Sequence, residues 1–169
     1  MKIGEFFRAP LAPYRPRLSF VHGFRVEPDP DRAWDRIASG QVDLVHEVLL
    51  DRSPSESSPR SSAQPLLVAR LTEDRPERLV AEVTSSLPGF LVLTDLWYPG
   101  WIAEVDGKRT EIRRADGYFR AVPLAAGTHR VVFRYRPLSV LVGGGISAAA
   151  ILAMVIAAAG RPPKPGSIL

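Results

Sequence analysis

The chain contains no cysteine, which excludes a disulfide framework, a thiolate metal site, a thiol nucleophile and a CxxC redox pair. Histidine is scarce too: His22, His46 and His129 stand too far apart for HxxxH or HExxH spacing, so no metal centre is expected. GxSxG, the Walker loop and GxGxxG are all absent, and Gly143-Gly144-Gly145 lies inside an apolar run. The sequence therefore points to no catalytic residue and no cofactor. A third scarcity is local, because no charged residue occurs between Leu138 and Gly160. All 18 acidic side chains and all but two of the 22 basic ones precede that stretch, and Arg161 and Lys164 follow it. The chain divides into a polar block, an apolar segment and a short tail.

At 169 residues, 46% of them apolar, the chain has enough material for one ordinary domain with a core, and a fully disordered chain is excluded. The formal net charge of +4 comes from bases spread along presumed strands without an aromatic-interleaved cluster. That is a solvated basic surface suited to anionic lipid headgroups, and nucleic acid is not an expected partner.

Leu138 to Ala159 supplies 22 uncharged residues. As a helix these extend roughly 33 Å, enough for a hydrocarbon core of about 30 Å, so a transmembrane helix is expected over residues 138–160. Its hydrophobicity is modest, since only nine of the 22 residues are Leu, Ile or Val. The pairs Gly143-xxx-Ser147 and Gly145-xxx-Ala149 would let a second helix approach closely. Arg130, Arg134 and Arg136 before the segment and Arg161 and Lys164 after it do not decide its orientation. Met1 to Phe24 has no continuous apolar region and does not read as a signal peptide. Taken alone, the chain reads as single-pass and C-tail-anchored.

The polar block is expected to be mainly β. Residues 1–17 form an N-terminal extension. Residues 18–52 read as a small α+β unit: a strand over Ser19–Val26, a helix opened by Asp29-Pro30-Asp31 and closed near Gly40, and a strand from Val42 to Leu50. Residues 53–65, with six serines and three prolines, read as an exposed linker. From 66 to 137, about seven short runs of β-forming residues separated by turn signals, including Asp106-Gly107 and Asp116-Gly117, indicate an antiparallel β-sandwich. Only Pro137 separates its last strand from the apolar segment, which would hold the sandwich near the bilayer. Residues 161–169 are the tail.

Two groups in this block could carry chemistry. Asp95, Asp106 and Asp116 lie at strand ends or turns, where aspartate stabilises its own backbone, although a glycosidase-like pair needs only the right separation in space. The densest feature is Asp95-Leu96-Trp97-Tyr98-Pro99-Gly100-Trp101. Its rings either cap one end of the core or, with Asp95, meet a sugar or the headgroup level of a bilayer.

At these residues a resemblance emerges. Leu91-Val-Leu-Thr-Asp-Leu-Trp-Tyr-Pro-Gly-Trp101, Ala103-Glu-Val-Asp-Gly-Lys108, Arg114-Ala-Asp-Gly-Tyr-Phe-Arg-Ala-Val-Pro123, Ala126-Gly-Thr-His129 and Phe133-Arg-Tyr-Arg-Pro137 together resemble the C-terminal region of the YfhO-like bacterial membrane proteins. The likeness extends over roughly residues 18–160. It implies a polytopic GT-C glycosyltransferase that moves a sugar from a polyprenyl-phosphate carrier to a cell-envelope polymer such as teichoic acid, with its β domain outside the cytoplasmic membrane. The upstream helices of that family and the acidic residues of its first external loop have no counterpart here, so no family catalytic residue can be carried over.

The expectation is a non-catalytic extracytoplasmic β module in the bacterial cytoplasmic membrane, a separate or truncated C-terminal piece. Its partners would be membrane lipid, a polytopic membrane protein or missing upstream domain, and an envelope glycan met by Asp95, Trp97, Tyr98 and Trp101. The contrasting expectations are a cytoplasmic tail-anchored adaptor that binds protein, and a stand-alone hydrolase using the aspartates.

Overall fold

A computed structural model describes residues 15–54, 64 and 66–159. The N-terminal extension up to residue 14, most of the Ser/Pro-rich linker and the tail lie outside the described residues. Twelve strands and two helices follow in the order β1 (Leu18–Val21), β2 (Gly23–Val26), α1 (Pro30–Ala38), β3 (Glu47–Leu50), β4 (Leu67–Val68), β5 (Arg70–Arg75), β6 (Arg78–Ser85), β7 (Gly89–Leu93), β8 (Trp101–Val105), β9 (Lys108–Thr110), β10 (Arg113–Ala115), β11 (Phe119–Leu124), β12 (Gly127–Tyr135) and α2 (Leu138–Ala159).

The strands form two sheets, one of order β2-β3-β10-β11-β7-β1-β4 and one of order β5-β6-β12-β8-β9. Period-two alternation decides which side chains meet between them. Leu18 and Phe20 of β1, Leu91 and Leu93 of β7, and Val122 and Leu124 of β11 share one core with Leu79, Ala81 and Val83 of β6 and with Ala103, Val131 and Phe133 of β8 and β12. The expected sandwich is therefore formed. Val21, Phe90, Val92 and Ala121, which alternate with that set, belong to a second buried cluster with Phe24, Val48 and Leu50. The larger sheet is thus apolar on both faces, and its strands read as continuous hydrophobic runs.

Three features depart from the sequence expectation. First, the strand expected over Ser19–Val26 breaks at His22, whose Nδ1 lies 3.2 Å from the Pro88 carbonyl. Its two halves pair with different neighbours, β1 with β7 and β4 and β2 with β3, in the same sheet as strands from beyond the linker. Second, β2 and β3 run parallel. The helix between them supplies the crossover that a parallel pair requires, so the sheets are not wholly antiparallel. Third, the strand expected from Val42 starts only at Glu47, because Asp43 organises a turn: its side chain accepts from Val45 N–H and its carbonyl from His46 and Glu47 N–H. Helix α1 starts as expected, with Asp29 accepting from the backbone N–H groups of Asp31 and Arg32 and Pro30 in the first turn.

The two Asp-Gly turns have positive φ at both residues, 50° and 80° at Asp106-Gly107 and 47° and 84° at Asp116-Gly117. At Asp106-Gly107 this is the two-residue hairpin turn between the paired Val105 and Lys108, whereas Asp116-Gly117 belongs to a three-residue loop, closed by Tyr118, between the paired Ala115 and Phe119. The second turn also clamps the sheet. Asp116 accepts from Leu49 N–H at 2.9 Å and faces Arg15 Nε at 3.0 Å, while Arg15 Nη2 donates to the Glu47 carbonyl at 2.7 Å. Both charged side chains are buried.

Among the described residues, those from Arg136 to Ala159 form a unit of their own. The expected uncharged helix is present as α2, and every described side chain from Val142 to Ile156 is exposed. The transmembrane expectation is corrected at this point, since among the described residues no helix is long and apolar enough to cross a membrane.

Replacing Asp116 by alanine leaves a buried guanidinium unpaired and the Leu49 N–H without its acceptor. The expected loss is about 3–5 kcal/mol, measured by urea denaturation followed through tryptophan fluorescence. Asp106→Ala, at the solvent-exposed turn, is expected to lose less.

Candidate functional site

The loop between β7 and β8 carries the Asp95–Trp101 motif. Its start is tied to β1 by Thr94 N–H donating to the Arg17 carbonyl at 2.8 Å, and its middle to the β10–β11 turn by Trp97 N–H donating to the Tyr118 carbonyl at 2.7 Å. These two anchors hold the motif open. Pro99 and Gly100, the latter at φ 107°, turn the chain into β8.

Asp95 is the hub of an ionic network. One of its carboxylate oxygens accepts from Arg17 Nε at 3.0 Å, and the other accepts from Arg17 Nη2 at 3.1 Å and Arg120 Nη2 at 3.2 Å. Arg17 also donates to both oxygens of Asp74, at 2.6 and 3.2 Å. These bonds to Asp95 and Asp74 push the Arg17 guanidinium further up, and Arg17 in turn holds the Asp74 carboxyl below the usual carboxylate range.

Arg120 is the unusual member, because only 1% of its surface is exposed. It alternates with Ala121 and shares the face of Val122 and Leu124, so the pleat aims it between the sheets. Its guanidinium carbon lies 3.9 Å from the centre of the Trp101 ring and 5.7 Å from that of Phe133. Burial pulls its basicity down, partly offset by Asp95, but a guanidinium remains charged in such surroundings. Asp95 and the Trp101 ring replace part of the lost hydration, the ring by cation–π attraction.

This arrangement separates the three rings of the motif. Trp101 has Arg120 against its ring and Tyr135 beside it, ring centres 5.3 Å apart, so it is partly buried against the core and less open for sugar stacking than its neighbours. Trp97 and Tyr98 remain 40% and 44% exposed. Tyr98 is braced edge-on by Tyr135 at 5.3 Å and by Trp101 at 6.3 Å. Two open cavities adjoin here and share Tyr98 and Trp101. One, of about 410 Å³, includes Trp97, Arg109 and Glu111, and the other, of about 610 Å³, includes Arg17, Asp74, Asp95 and Arg120.

The remaining candidates are placed elsewhere. Asp106 binds His129 Nδ1 at 2.7 Å and Arg130 N–H at 2.8 Å, while Asp116 is held by Arg15 and Leu49. Each aspartate is committed to a different set of partners. Gly143, Gly145, Ser147 and Ala149 lie exposed on α2, and a Cβ added at Gly143, Gly144 or Gly145 would meet nothing within 4 Å. Among the described residues, no group of His, Asp and Glu is arranged to hold a metal ion.

Sequence reasoning missed Arg17, Asp74 and Arg120. Arg120 carried a signal, being a charged residue in phase with the inward positions of an otherwise apolar strand. Arg17 and Asp74 carried none, since their meeting depends on how β1 and β5 are placed across the sandwich.

Exchanging Arg120 for methionine keeps most of the volume but removes the charge from Trp101 and one bond from Asp95. The expected loss is about 2 kcal/mol, read from thermal or urea denaturation. Arg17→Gln, at a half-exposed position, is expected to cost less.

Residues 69–147 match the family model described as bacterial membrane protein YfhO. The match runs from just before β5 into α2 and contains every residue of the network except Arg17. No curated protein and no solved structure matches the chain.

Proposed function

We propose, from the membership of residues 69–147 in the YfhO family of bacterial membrane proteins, that the chain is a membrane-associated β module working beside a polyprenyl-phosphate-sugar-dependent glycosyltransferase. In this reading it performs no chemistry itself. The β-sandwich stands outside the cytoplasmic membrane and presents an envelope glycan, the acceptor, to the catalytic membrane protein. The uncharged segment 138–160 is the part that meets lipid, supported by its sequence and by the outward-facing apolar side chains of α2.

The observation that carries the proposal is the corner built by the Asp95–Trp101 motif. Trp97 and Tyr98 are exposed side by side above a network of carboxylates and guanidinium groups, and all but one of its charged members lie within the matched segment. An apolar ring surface next to convergent polar groups suits a sugar, whose ring has C–H faces and a hydroxyl rim. The Asp106 and Asp116 carboxylates are engaged elsewhere, and this supports a binding role over hydrolysis.

Two arms in intact cells test the proposal. The absence of native cysteine allows Ser53→Cys, at an exposed site, to be probed with a membrane-impermeant maleimide. Labelling without lysis is the expected result, whereas labelling only after lysis would favour the cytoplasmic adaptor. Combined Trp97→Ala and Tyr98→Ala, leaving Trp101 against the core, is expected to lower envelope glycosylation severalfold at unchanged protein level. Unchanged glycosylation would refute the acceptor role.

A further inference from the structure

The larger of the two cavities has a polarity that narrows what can enter it. Arg17, Asp74, Asp95 and Arg120 form its charged lining, and Leu96 and Tyr98 its exposed apolar wall. The charges already balance, two guanidinium groups against two carboxylates. Arg75, also on the rim, has Glu73 at 3.5 Å. An incoming anion would find every cation paired and would face two carboxylates.

Hydrogen-bond capacity points the same way. An ionised carboxylate offers about four acceptor positions, and a guanidinium has five N–H donors. Among the described hydrogen bonds, Asp74 receives two and Asp95 three, all from Arg17 and Arg120. About three acceptor positions are left on the two carboxylates, while Arg17 keeps about one donor, on Nη1, and the partnerless Nη1 of Arg120 is buried away from the opening. The Asp74 side chain is half exposed and that of Asp95 about a quarter exposed, so these positions face the cavity mouth. A ligand that fits must bring O–H or N–H donors together with a few acceptors. Phosphate diesters and carboxylates bring acceptors only.

We infer that this cavity is a binding site for an uncharged, hydroxyl-rich ring, such as a hexopyranoside or N-acetylhexosaminide residue. Its hydroxyls donate to Asp74 and Asp95, one hydroxyl accepts from Arg17, and its C–H face lies on Tyr98. Arg120 is a positioning residue, fixing Asp95 from inside the sandwich. The smaller cavity, on the other side of Tyr98 and Trp101, gives a linear oligosaccharide room to continue past Trp97. The inference rests on the acceptor-binding reading and deepens it, because it places recognition on the sugar residues and not on any charged backbone.

The test uses the full chain in a detergent without a sugar headgroup. Neutral hexose and N-acetylhexosamine oligosaccharides, inorganic phosphate and poly(glycerol phosphate) are titrated separately by calorimetry and ligand-observed NMR. Saturable binding of a neutral oligosaccharide is expected, weakened at least about tenfold by Asp74→Ala and by Tyr98→Ala, with unchanged circular dichroism and no competition from phosphate. Asp74 is exposed, so its variant tests recognition without disturbing the core. Binding confined to poly(glycerol phosphate), competition by phosphate, or no response to either substitution would overturn the inference. If poly(glycerol phosphate) alone binds, and the Trp97→Ala, Tyr98→Ala variant abolishes that binding, the inference fails while the acceptor-binding reading survives. Failure of every probe, with undiminished glycosylation by that variant in cells, removes both.

Discussion

The buried guanidinium of Arg120 sits among apolar side chains at the end of the sandwich. A charge there is tolerable only if something replaces its hydration, and the surrounding architecture does so. Trp101 presents its ring from the smaller sheet, and Asp95 presents its carboxylate from the loop that follows β7. The loop is thereby drawn over the end of the core, Arg17 joins through the same carboxylate, and Asp74 joins through Arg17. To the two bonds from Arg17, Arg120 adds a third from inside the sandwich, which ties Asp95 to the packing around Trp101.

This dependence explains why adjacent aromatic residues in one short motif have different surroundings. Trp101 begins a strand, so the pleat and its pairing opposite Tyr135 decide its direction. Trp97 and Tyr98 sit in the loop, where the anchors are backbone hydrogen bonds that leave the side chains outward. Their polar surroundings are neutral overall but rich in acceptors, a combination that favours hydroxyl groups over anions. A buried cation organises a carboxylate, and with it the start of the loop that carries Trp97 and Tyr98.

Much of this was legible in the sequence, and the parts that were not share a cause. Local signals were reliable: Asp29-Pro30 opened the helix, both Asp-Gly pairs formed turns, and the alternation of Val131, Phe133 and Tyr135 marked a strand. Long-range pairing was not encoded in any local pattern. The strand at residues 19–26 looked continuous, yet His22 divides it between neighbours far apart in sequence, and nothing in β1 announces that it lies between β7 and β4. The candidate site was legible as a motif but not as a network, because Arg17 and Arg120 reach Asp95, and Asp74 reaches Arg17, from three separate strands or their flanks. In the apolar segment the helix emerged as expected, whereas the described residues do not by themselves carry a membrane crossing.

The difference between Trp101, held against Arg120, and Trp97, left exposed, underlies this corner of the molecule. It is tested most directly by amide-type hydrogen exchange at the indole N–H groups, of which the chain has three. The Trp101 Nε1 atom is buried, and its proton is expected to persist in deuterated solvent long after those of Trp97 and Trp34 have exchanged. Exchange of the Trp101 proton as fast as that of Trp97 would contradict the account, because the ring would then not be held against the core and the corner built on it would not exist.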